Sequence, residues 1–208
     1  MIIAVDGPTA SGKGTIAQKL GAHFGIPHLD TGLLYRAVGY QVQLNDGDPD
    51  SEGDAVAACG FADDLLADPA LRSEGTGSLA SRVSVHPAVR SALFERQRSF
   101  ATQTGGAVLD GRDIGTIIAP DADVKLFITA SVQARARRRW LEMTGRGVDV
   151  QLADVEADIA KRDARDINRA DAPLKAAPEA LVIDTTSFDR EQAFETVLDA
   201  VKTALALD

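Results

Sequence analysis

The sequence is poor in the residues that disulfide-rich and membrane-spanning proteins need. Among 208 residues there is one cysteine, Cys59, and no apolar run approaches the length required to cross a bilayer. A single cysteine excludes an internal disulfide, and Cys59 has no Cys or His companion at metal-binding spacing. The first residues lack a basic segment followed by an apolar run and a cleavage site. We therefore expect no membrane association and a cytoplasmic location.

Positive charge is also scarce, and it is unevenly distributed. The 22 Lys and Arg residues are outnumbered by 31 Asp and Glu residues, which gives a formal net charge of −9. Residues 37–71 contain eight carboxylates and no Lys or Arg, whereas residues 110–175 contain nine Arg and three Lys. The acidic balance predicts no nucleic-acid partner. The arginine-rich segment indicates instead a small anionic ligand held in a cleft.

The most informative stretch begins at the second residue. An apolar run enters a loop of small residues, and a helical pattern opens at the lysine of that loop. The loop reads Gly7-Pro8-Thr9-Ala10-Ser11-Gly12-Lys13-Gly14-Thr15. Strand, phosphate-binding loop and helix in this order are typical of a P-loop. Its backbone N–H groups and the helix N-terminus bind phosphate oxygens, and the lysine adds a mobile cation.

The loop departs from the commonest P-loop pattern at one position. Gly14 follows Lys13 directly, where that pattern has a hydroxyl residue, and Thr15 comes next. This order is similar to that of nucleoside monophosphate kinases rather than GTPases or motor ATPases. The metal ligands stay unknown at this point, with Asp30, Asp110 and Thr15 as candidates, directly or through water.

Further apolar segments alternate with helical patterns along the chain. Strands are predicted at 28–29, 107–109, 124–128 and 181–183. Helices are predicted from about 13 to 24, after Asp30, and over 51–67, 78–85, 86–103, 131–144, 151–170 and 189–206, with a loop at 73–77. We therefore predict an α/β fold with a doubly wound, parallel, five-stranded sheet flanked by helices. Ligands bind such sheets at the carboxyl ends of the strands.

Three charged motifs fall near those strand ends. They are Asp30-Thr31-Gly32-Leu33-Leu34-Tyr35-Arg36, Asp110-Gly111-Arg112-Asp113-Ile114-Gly115-Thr116, and the run Arg162–Arg169. Each also has a structural interpretation: a capped helix with a solvated Arg36, a turn tied by its own ion pairs, and a solvated charge network. Beside a P-loop we favour a second phosphate site, formed by Arg36, Arg112, Arg162 and Arg169.

A fourth arginine group is harder to interpret. Arg135, Arg137, Arg138 and Arg139 stand close together in one predicted helix. We expect most of them to form a solvated face or to pair with the acidic insert. One or two could swing over a nucleotide as part of a lid, because Gly145 and Gly147 supply a hinge just beyond.

Together these motifs resemble the bacterial cytidylate kinase family over nearly the whole chain. The stretch Asp110–Thr116 discriminates best, and Ala172-Pro173-Leu174 and Ile183-Asp184-Thr185-Thr186 add to the match. The resemblance implies transfer of the γ-phosphate of ATP to CMP or dCMP, with Mg²⁺. It also implies one P-loop kinase domain, with a core at 1–44 and 104–208, a nucleotide-monophosphate-binding insert at about 45–103 and an Arg-rich lid at about 140–160. Segment 68–80 looks too short for the β-hairpin that family members often carry there.

The resemblance assigns roles residue by residue. The loop Gly7–Thr15 binds ATP, and Lys13, Arg112, Arg162 and Arg169 are catalytic. Thr31, Ser81, Arg90 and Asp113 hold the monophosphate and its base, Arg36, Arg112 and Arg169 take its phosphate, and Arg162 and Asp166 contact its sugar. The expected partners are CMP and dCMP as small-molecule substrates of a monomer. Two alternatives stay open: a kinase of AMP or shikimate, and a nucleotide-binding regulatory module without transfer activity.

Overall fold

Five strands within residues 1–207 form one parallel sheet. The computed structural model describes residues 1–207. The strands are Ile2–Asp6 (β1), His28–Asp30 (β2), Ala107–Gly111 (β3), Val124–Thr129 (β4) and Leu181–Asp184 (β5). They lie in the order β2-β3-β1-β4-β5, and each neighbouring pair is parallel. The predicted doubly wound α/β sheet is therefore confirmed, with β1 at its centre.

In the part of the chain that the structure describes, eight α-helices connect and cover the strands. They are Lys13–Phe24 (α1), Thr31–Leu44 (α2), Glu52–Ala57 (α3), Glu74–Val83 (α4), Pro87–Ala101 (α5), Val132–Gly145 (α6), Leu152–Asn168 (α7) and Arg190–Ala204 (α8). A short π-helical turn, Ile114–Ile118, follows β3. No helix within residues 1–207 is long and apolar enough to span a membrane.

The helix predicted over 51–67 is wrong in its second half. Ser51 caps α3 by accepting a hydrogen bond from the backbone N–H of Asp54, but the helix ends at Ala57. Three 3₁₀ turns follow, at Ala58–Gly60, Asp63–Ala67 and Pro69–Arg72. The break allows Phe61 to turn inward, where only 8% of it is exposed. Burial of this aromatic ring therefore overrides the helical pattern of the sequence.

The loop predicted at 73–77 is also wrong, because it forms the first turn of α4. The Ser73 hydroxyl accepts a hydrogen bond from the backbone N–H of Thr76 at 3.2 Å and caps the helix. Two glycines suggested a loop, but Gly77 faces the guanidinium of Arg36. A Cβ at Gly77 would lie 3.0 Å from Arg36 Nη2. The glycine therefore serves close packing of a helix against an arginine rather than a turn.

Separate apolar clusters fix the parts of the molecule that surround the strand ends. Side chains of β1 and β4 pack with Leu20 of α1 and Val197 of α8 on one face of the sheet. A second cluster, around Leu34, Val38 and Leu93, joins α2 to α3, α4 and α5, the other helices between β2 and β3. A third small cluster, around Ile159, holds α6 against α7. Burial of these side chains is the main stabilising term for each packed unit.

The strand register brings polar residues together at one edge of the sheet. Asp6 pairs with Gly111, Asp30 with Asp110, and Thr129 with Asp184. Because all strands are parallel, their carboxyl ends meet at this edge, as the sequence predicted. The P-loop, the stretch after β3 and the start of α2 consequently face a common space.

Candidate functional site

The loop after β1 has the backbone of a phosphate cradle. Gly7 and Gly12 adopt φ values of 154° and 89°, a region that side chains with a Cβ rarely occupy. A Cβ on Gly7 would lie 2.1 Å from the carbonyl oxygen of Ile128, so no other residue fits there. Helix α1 then starts at Lys13 without a side-chain cap. Its first N–H groups are left to bind an anion.

Lys13 is a buried cation at the start of α1. The residue is 8% exposed, and its Nζ atom lies 3.4 Å from the carbonyl oxygen of Pro8. Burial and the nearby positive charge of Arg112 lower the pKa of Lys13 to about 8, although the carboxylates of Asp110 and Asp30 oppose the shift. An anion beside Nζ would restore the charged form.

Two carboxylates line the floor next to this lysine. Burial, and then the charge of Asp110, raise the pKa of Asp30. Asp110 accepts a hydrogen bond at 2.7 Å from Nε2 of His28. The Thr31 hydroxyl donates to the backbone carbonyl of Asp110 at 2.8 Å. The floor is therefore fixed, and its neighbouring negative charges favour a bound cation.

Asp6, just before the P-loop, ties that loop to the turn after β3. Its carboxylate accepts hydrogen bonds from the backbone N–H groups of Ile114 and Gly115, both at 2.8 Å. Burial raises the pKa of Asp6 to about 7 in spite of these two bonds. The sequence placed Asp6 at the strand edge but could not show this connection to a segment more than 100 residues away.

The opposite wall carries partly buried arginines. Arg112 donates from Nε to Asp166 at 2.8 Å. Burial favours the neutral guanidinium, but the carboxylates of Asp166, Asp110 and Asp163 together outweigh it and raise the pKa of Arg112. Arg162 donates to the carbonyl of Gly77 at 3.3 Å, and burial and the charge of Arg112 lower its pKa. These cations lie close together, which is unfavourable without an anionic ligand.

A second set of buried charges surrounds Asp113. Arg90 forms an ion pair with one carboxylate oxygen, and Nη2 of Arg169 lies 3.5 Å from the other. The guanidinium of Arg90 also lies 5.9 Å from the centre of the Tyr35 ring. Nη1 of Arg90 and Nη2 of Arg169 are buried without a hydrogen-bond partner. Such unpaired donors are costly, and a bound polar ligand would satisfy them.

Arg36 and Ser81 approach the same space from the helices between β2 and β3. Arg36 donates from Nη1 to the carbonyl oxygens of Leu71 and Ser73, at 2.8 and 3.0 Å. Burial, and then the charge of Arg162, lower the pKa of Arg36 to about 10. The Ser81 hydroxyl accepts from Nη1 of Arg165 at 2.7 Å. Arg165, which lies within the run Arg162–Arg169, thus holds a predicted binding residue.

One cavity of about 980 Å³ contains both groups of residues. Its lining includes these predicted site residues: Thr9, Ala10, Ser11, Gly12, Lys13, Gly14, Thr15, Thr31, Arg36, Ser81, Arg90, Arg112, Asp113, Arg162, Asp166 and Arg169. Gly7 and Pro8 are not on its surface; they support the loop from behind. The volume is at the upper end of the range for small-molecule sites, so the cavity has room for two ligands.

Comparison with known proteins decides the family. A sequence model of the family described as cytidylate kinase matches residues 3–203. A protein named cytidylate kinase from Caulobacter sp. (strain K31) is 53% identical, with 99% of this chain and 95% of that protein covered. The chain belongs to the cytidylate kinase family. Another relative with that name, from Methylocella silvestris, is 54% identical, with 98% of this chain and 95% of that protein covered.

A solved structure shares the fold. An uncharacterized protein from Eubacterium ventriosum superposes with a TM-score of 0.56, covers 98% of each chain and is 17% identical. At this identity the likeness concerns the arrangement of strands and helices alone. It agrees with the parallel sheet that this cytidylate kinase family member shows.

The arginine-rich helix α6 behaves only partly as its sequence predicted. Arg139 forms ion pairs with Glu74 of α4 and with Glu142. Arg138 donates to Thr185 and lines the cavity with Arg139, whereas Arg137 is exposed. The expectation is wrong for Arg135, which is 3% exposed and bound to Asp163. Buried guanidinium groups require a carboxylate partner, and this one lies on another helix where the sequence cannot place it.

Several cavity residues of this family member escaped the sequence reasoning. Glu74, Tyr35, Asp158, Phe188 and Arg190 line the same space. Only Glu74 left a signal, because a serine followed by an acidic residue is typical of a helix start. Tyr35 lies within the motif Asp30–Arg36, where only Thr31 and Arg36 have an expected role. Asp158, Phe188 and Arg190 come from stretches that carry no recognisable motif, and only the fold brings them to the cavity.

Proposed function

We propose that the chain transfers the γ-phosphate of ATP to CMP or dCMP, giving ADP and CDP or dCDP. The proposal rests on one cavity that holds a P-loop lysine on one wall and four arginines on the other. Those arginines are Arg36, Arg112, Arg162 and Arg169. The names of the relatives supply the acceptor, which the geometry alone leaves unspecified.

The donor would lie along the loop Gly7–Thr15. The free N–H groups at the start of α1 donate hydrogen bonds to the β-phosphate, and Lys13 neutralises charge between the β- and γ-phosphates. Binding of these anions offsets the burial that lowers the pKa of Lys13 to about 8. The lysine therefore carries its proton when ATP is present.

The acceptor phosphate would lie among Arg36, Arg112 and Arg169. An oxygen of this phosphate attacks the γ-phosphorus while the bond to the β-phosphate oxygen breaks, so one phosphoryl group moves and ADP leaves. A nucleoside monophosphate is largely ionised at neutral pH, so no general base is needed. Catalysis then consists of positioning and charge neutralisation, and fixed guanidinium donors supply both without reorganisation.

The base and sugar would occupy the space around Asp113. Its carboxylate can accept a hydrogen bond from the N4 amino group of cytosine, whereas uracil presents a carbonyl oxygen there. Thr31, Ser81 and Arg90 complete the contacts to the nucleotide, and Arg162 and Asp166 contact its sugar. The ion pairs to Arg90 and Arg169 fix the orientation of Asp113 before substrate arrives.

The residues beside Lys13 are suited to Mg²⁺. No group of three or more ligating side chains comes together within residues 1–207. Mg²⁺ needs only one or two carboxylates when nucleotide phosphates and water complete its shell. Asp30 and Asp110 supply such a pair, with Thr15 nearby on α1, and a cation would relieve the repulsion that raises the pKa of Asp30. The ion would neutralise charge on the β- and γ-phosphates.

We further propose that the protein acts as a monomer in the cytoplasm, without a nucleic-acid partner. One chain lines the whole cavity, which supports action as a monomer on small-molecule substrates. The net charge of −9 supports the absence of a nucleic-acid partner. Dependence on ATP and CMP favours the cytoplasm, where both are available.

Identification of the product tests the proposal. The protein is incubated with ATP and Mg²⁺, with and without CMP, and nucleotides are separated by ion-exchange chromatography. We expect equal amounts of CDP and ADP that appear only with CMP. Binding of ATP without acceptor-dependent ADP release would instead support the regulatory-module alternative.

A further inference from the structure

A buried guanidinium connects the two walls of the cavity without lining it. Arg135 lies in the first turn of α6 and is 3% exposed. It donates from Nε to the carbonyl of Ala130 at 2.8 Å and from Nη1 to the carbonyl of Thr9 at 3.1 Å. Both terminal nitrogens also reach Asp163, at 3.1 and 2.6 Å. One side chain thus binds the end of β4, the P-loop and α7.

The partners of Arg135 stand directly beside residues of the proposed reaction. Thr9 precedes Ala10, which has a φ of 57°, an uncommon value for a residue with a side chain. Asp163 follows Arg162 in α7 and lies one turn before Asp166. A hydrogen bond to the Thr9 carbonyl therefore fixes a strained part of the donor loop. The ion pair to Asp163 fixes the helix that carries the acceptor-side charges.

The geometry requires an arginine rather than any cation. The guanidinium is planar and presents donors in fixed directions, which allows it to satisfy Ala130, Thr9 and Asp163 at once. A lysine keeps the charge but has one donor atom, so it cannot reach all three partners. The change Arg135→Lys therefore removes the connection between the walls while leaving a cation beside Asp163.

We propose that Arg135 and Asp163 are a positioning pair that sets the distance between the P-loop and α7. Neither residue lines the cavity. Their effect on turnover is through Thr9 on the donor side and through Arg162 and Asp166 on the acceptor side. This inference rests on the proposed phosphoryl transfer, because only a two-substrate reaction requires the two walls to be in register. A displacement of about 1 Å between reacting groups lowers a rate by about 100-fold.

A purely stabilising ion pair would behave differently, and the molecule contains one for comparison. Arg98 and Asp121 form a similar two-bond pair, at 2.6 and 2.8 Å, between α5 and the turn before β4. This pair is partly exposed and neither residue lines the cavity. The variant Arg98→Lys is therefore the matched control for Arg135→Lys.

The test separates binding from turnover. Wild-type CDP formation is measured first. Its absence would contradict the proposed function but not the positioning role of Arg135 and Asp163. For Arg135→Lys and Asp163→Asn we expect kcat about 100-fold below wild type. Dissociation constants for ATP and for CMP, each measured alone by calorimetry, should stay within about threefold, because each wall still forms its own site. Arg98→Lys should change neither quantity.

Rates are expressed per folded molecule, with the folded fraction taken from the fluorescence of Trp140, the single tryptophan. A kcat within threefold of wild type in the folded fraction of both variants would overturn the proposal. A parallel loss of ATP and CMP affinity that accounts for the whole defect would overturn it too. If neither variant folds at 25 °C, the pair is a folding element and the proposal is rejected. Asp163→Asn is included because it keeps the shape and one acceptor of the original side chain.

Discussion

The two walls of the cavity are built by different means. The donor wall is a short loop whose binding groups are backbone N–H donors, with Lys13 as its one buried cation. The acceptor wall is assembled from side chains of several separate elements. Arg36 comes from α2, Arg90 from α5, Arg112 from the end of β3 and Arg162 from α7. The first wall is local in sequence, and the second exists only after folding.

The contrast explains where the carboxylates are. Backbone donors carry partial charges and need no counter-ion, so the carboxylates of Asp30 and Asp110 beside Lys13 are left to interact with a cation. Arginines buried on the acceptor wall require acids when no ligand is present, and Asp113 and Asp166 supply them. The donor wall is consequently sensitive to backbone shape, whereas the acceptor wall is sensitive to charge balance.

The largest effect should follow removal of a guanidinium from the acceptor wall. For Arg112→Ala we expect kcat/KM for CMP to fall about 1,000-fold, the lower range for an arginine that stabilises phosphoryl transfer. ATP affinity should change little, because the P-loop is untouched. Steady-state kinetics with ADP detection measures the first and calorimetry the second. Arg137→Ala, at an exposed position on α6, is the control and should change neither kcat/KM for CMP nor ATP affinity. Unfolding of Arg112→Ala would instead support a structural ion pair.

Selectivity for the base should depend on Asp113. The variant Asp113→Asn replaces one acceptor oxygen with an amino donor, which suits the uracil carbonyl. We expect the ratio of kcat/KM for CMP to that for UMP to fall by about tenfold or more. The ratio is the informative quantity, because loss of the ion pairs to Arg90 and Arg169 lowers both rates. An unchanged ratio would show that other residues read the base.

The backbone shape of the donor wall is tested at Gly7. A Cβ there would lie 2.1 Å from the Ile128 carbonyl oxygen at a φ of +154°, so Gly7→Ala must displace the loop. We expect the free energy of unfolding to fall by about 1–3 kcal/mol, together with weaker ATP binding. Gly53→Ala is the matched control, because its Cβ meets nothing closer than 3.9 Å. It should stabilise α3 by about 0.5 kcal/mol. Equal effects of the two changes in urea unfolding would remove the argument for a strained loop.

The last test is a pH dependence of stability that originates at Asp6. Its folded-state pKa is about 7, against 3.8 for the ordinary group. Between these values the folded protein binds more protons at this site than the unfolded chain, so this contribution to stability falls as pH rises from about 4 to about 7. Asp6→Asn cannot titrate. Urea unfolding at several pH values should therefore show wild type losing stability relative to Asp6→Asn across that interval. A parallel pair of curves would contradict the shift.

The donor wall comes from one stretch of chain and the acceptor wall from several elements. This difference determines which parts of the site can be predicted from the sequence. The P-loop, the parallel sheet and the edge where Asp30 and Asp110 meet all follow from short motifs and strand patterns. The first turn of α4 was misread as a loop because the role of Gly77 depends on Arg36, far along the chain. Arg135 was grouped with its solvated neighbours because its partner Asp163 lies on another helix. Pairings of buried charges depend on tertiary contacts that periodicity does not encode.

We propose that the acceptor wall selects a cytosine monophosphate for a donor held by the P-loop. The most direct measurement is acceptor-dependent ADP release from ATP and Mg²⁺ with CMP, dCMP, UMP, AMP and shikimate, each over a range of concentrations. We expect CMP and dCMP to be used far better than UMP, with no release above background for AMP or shikimate. Turnover of UMP equal to or faster than that of CMP would contradict it.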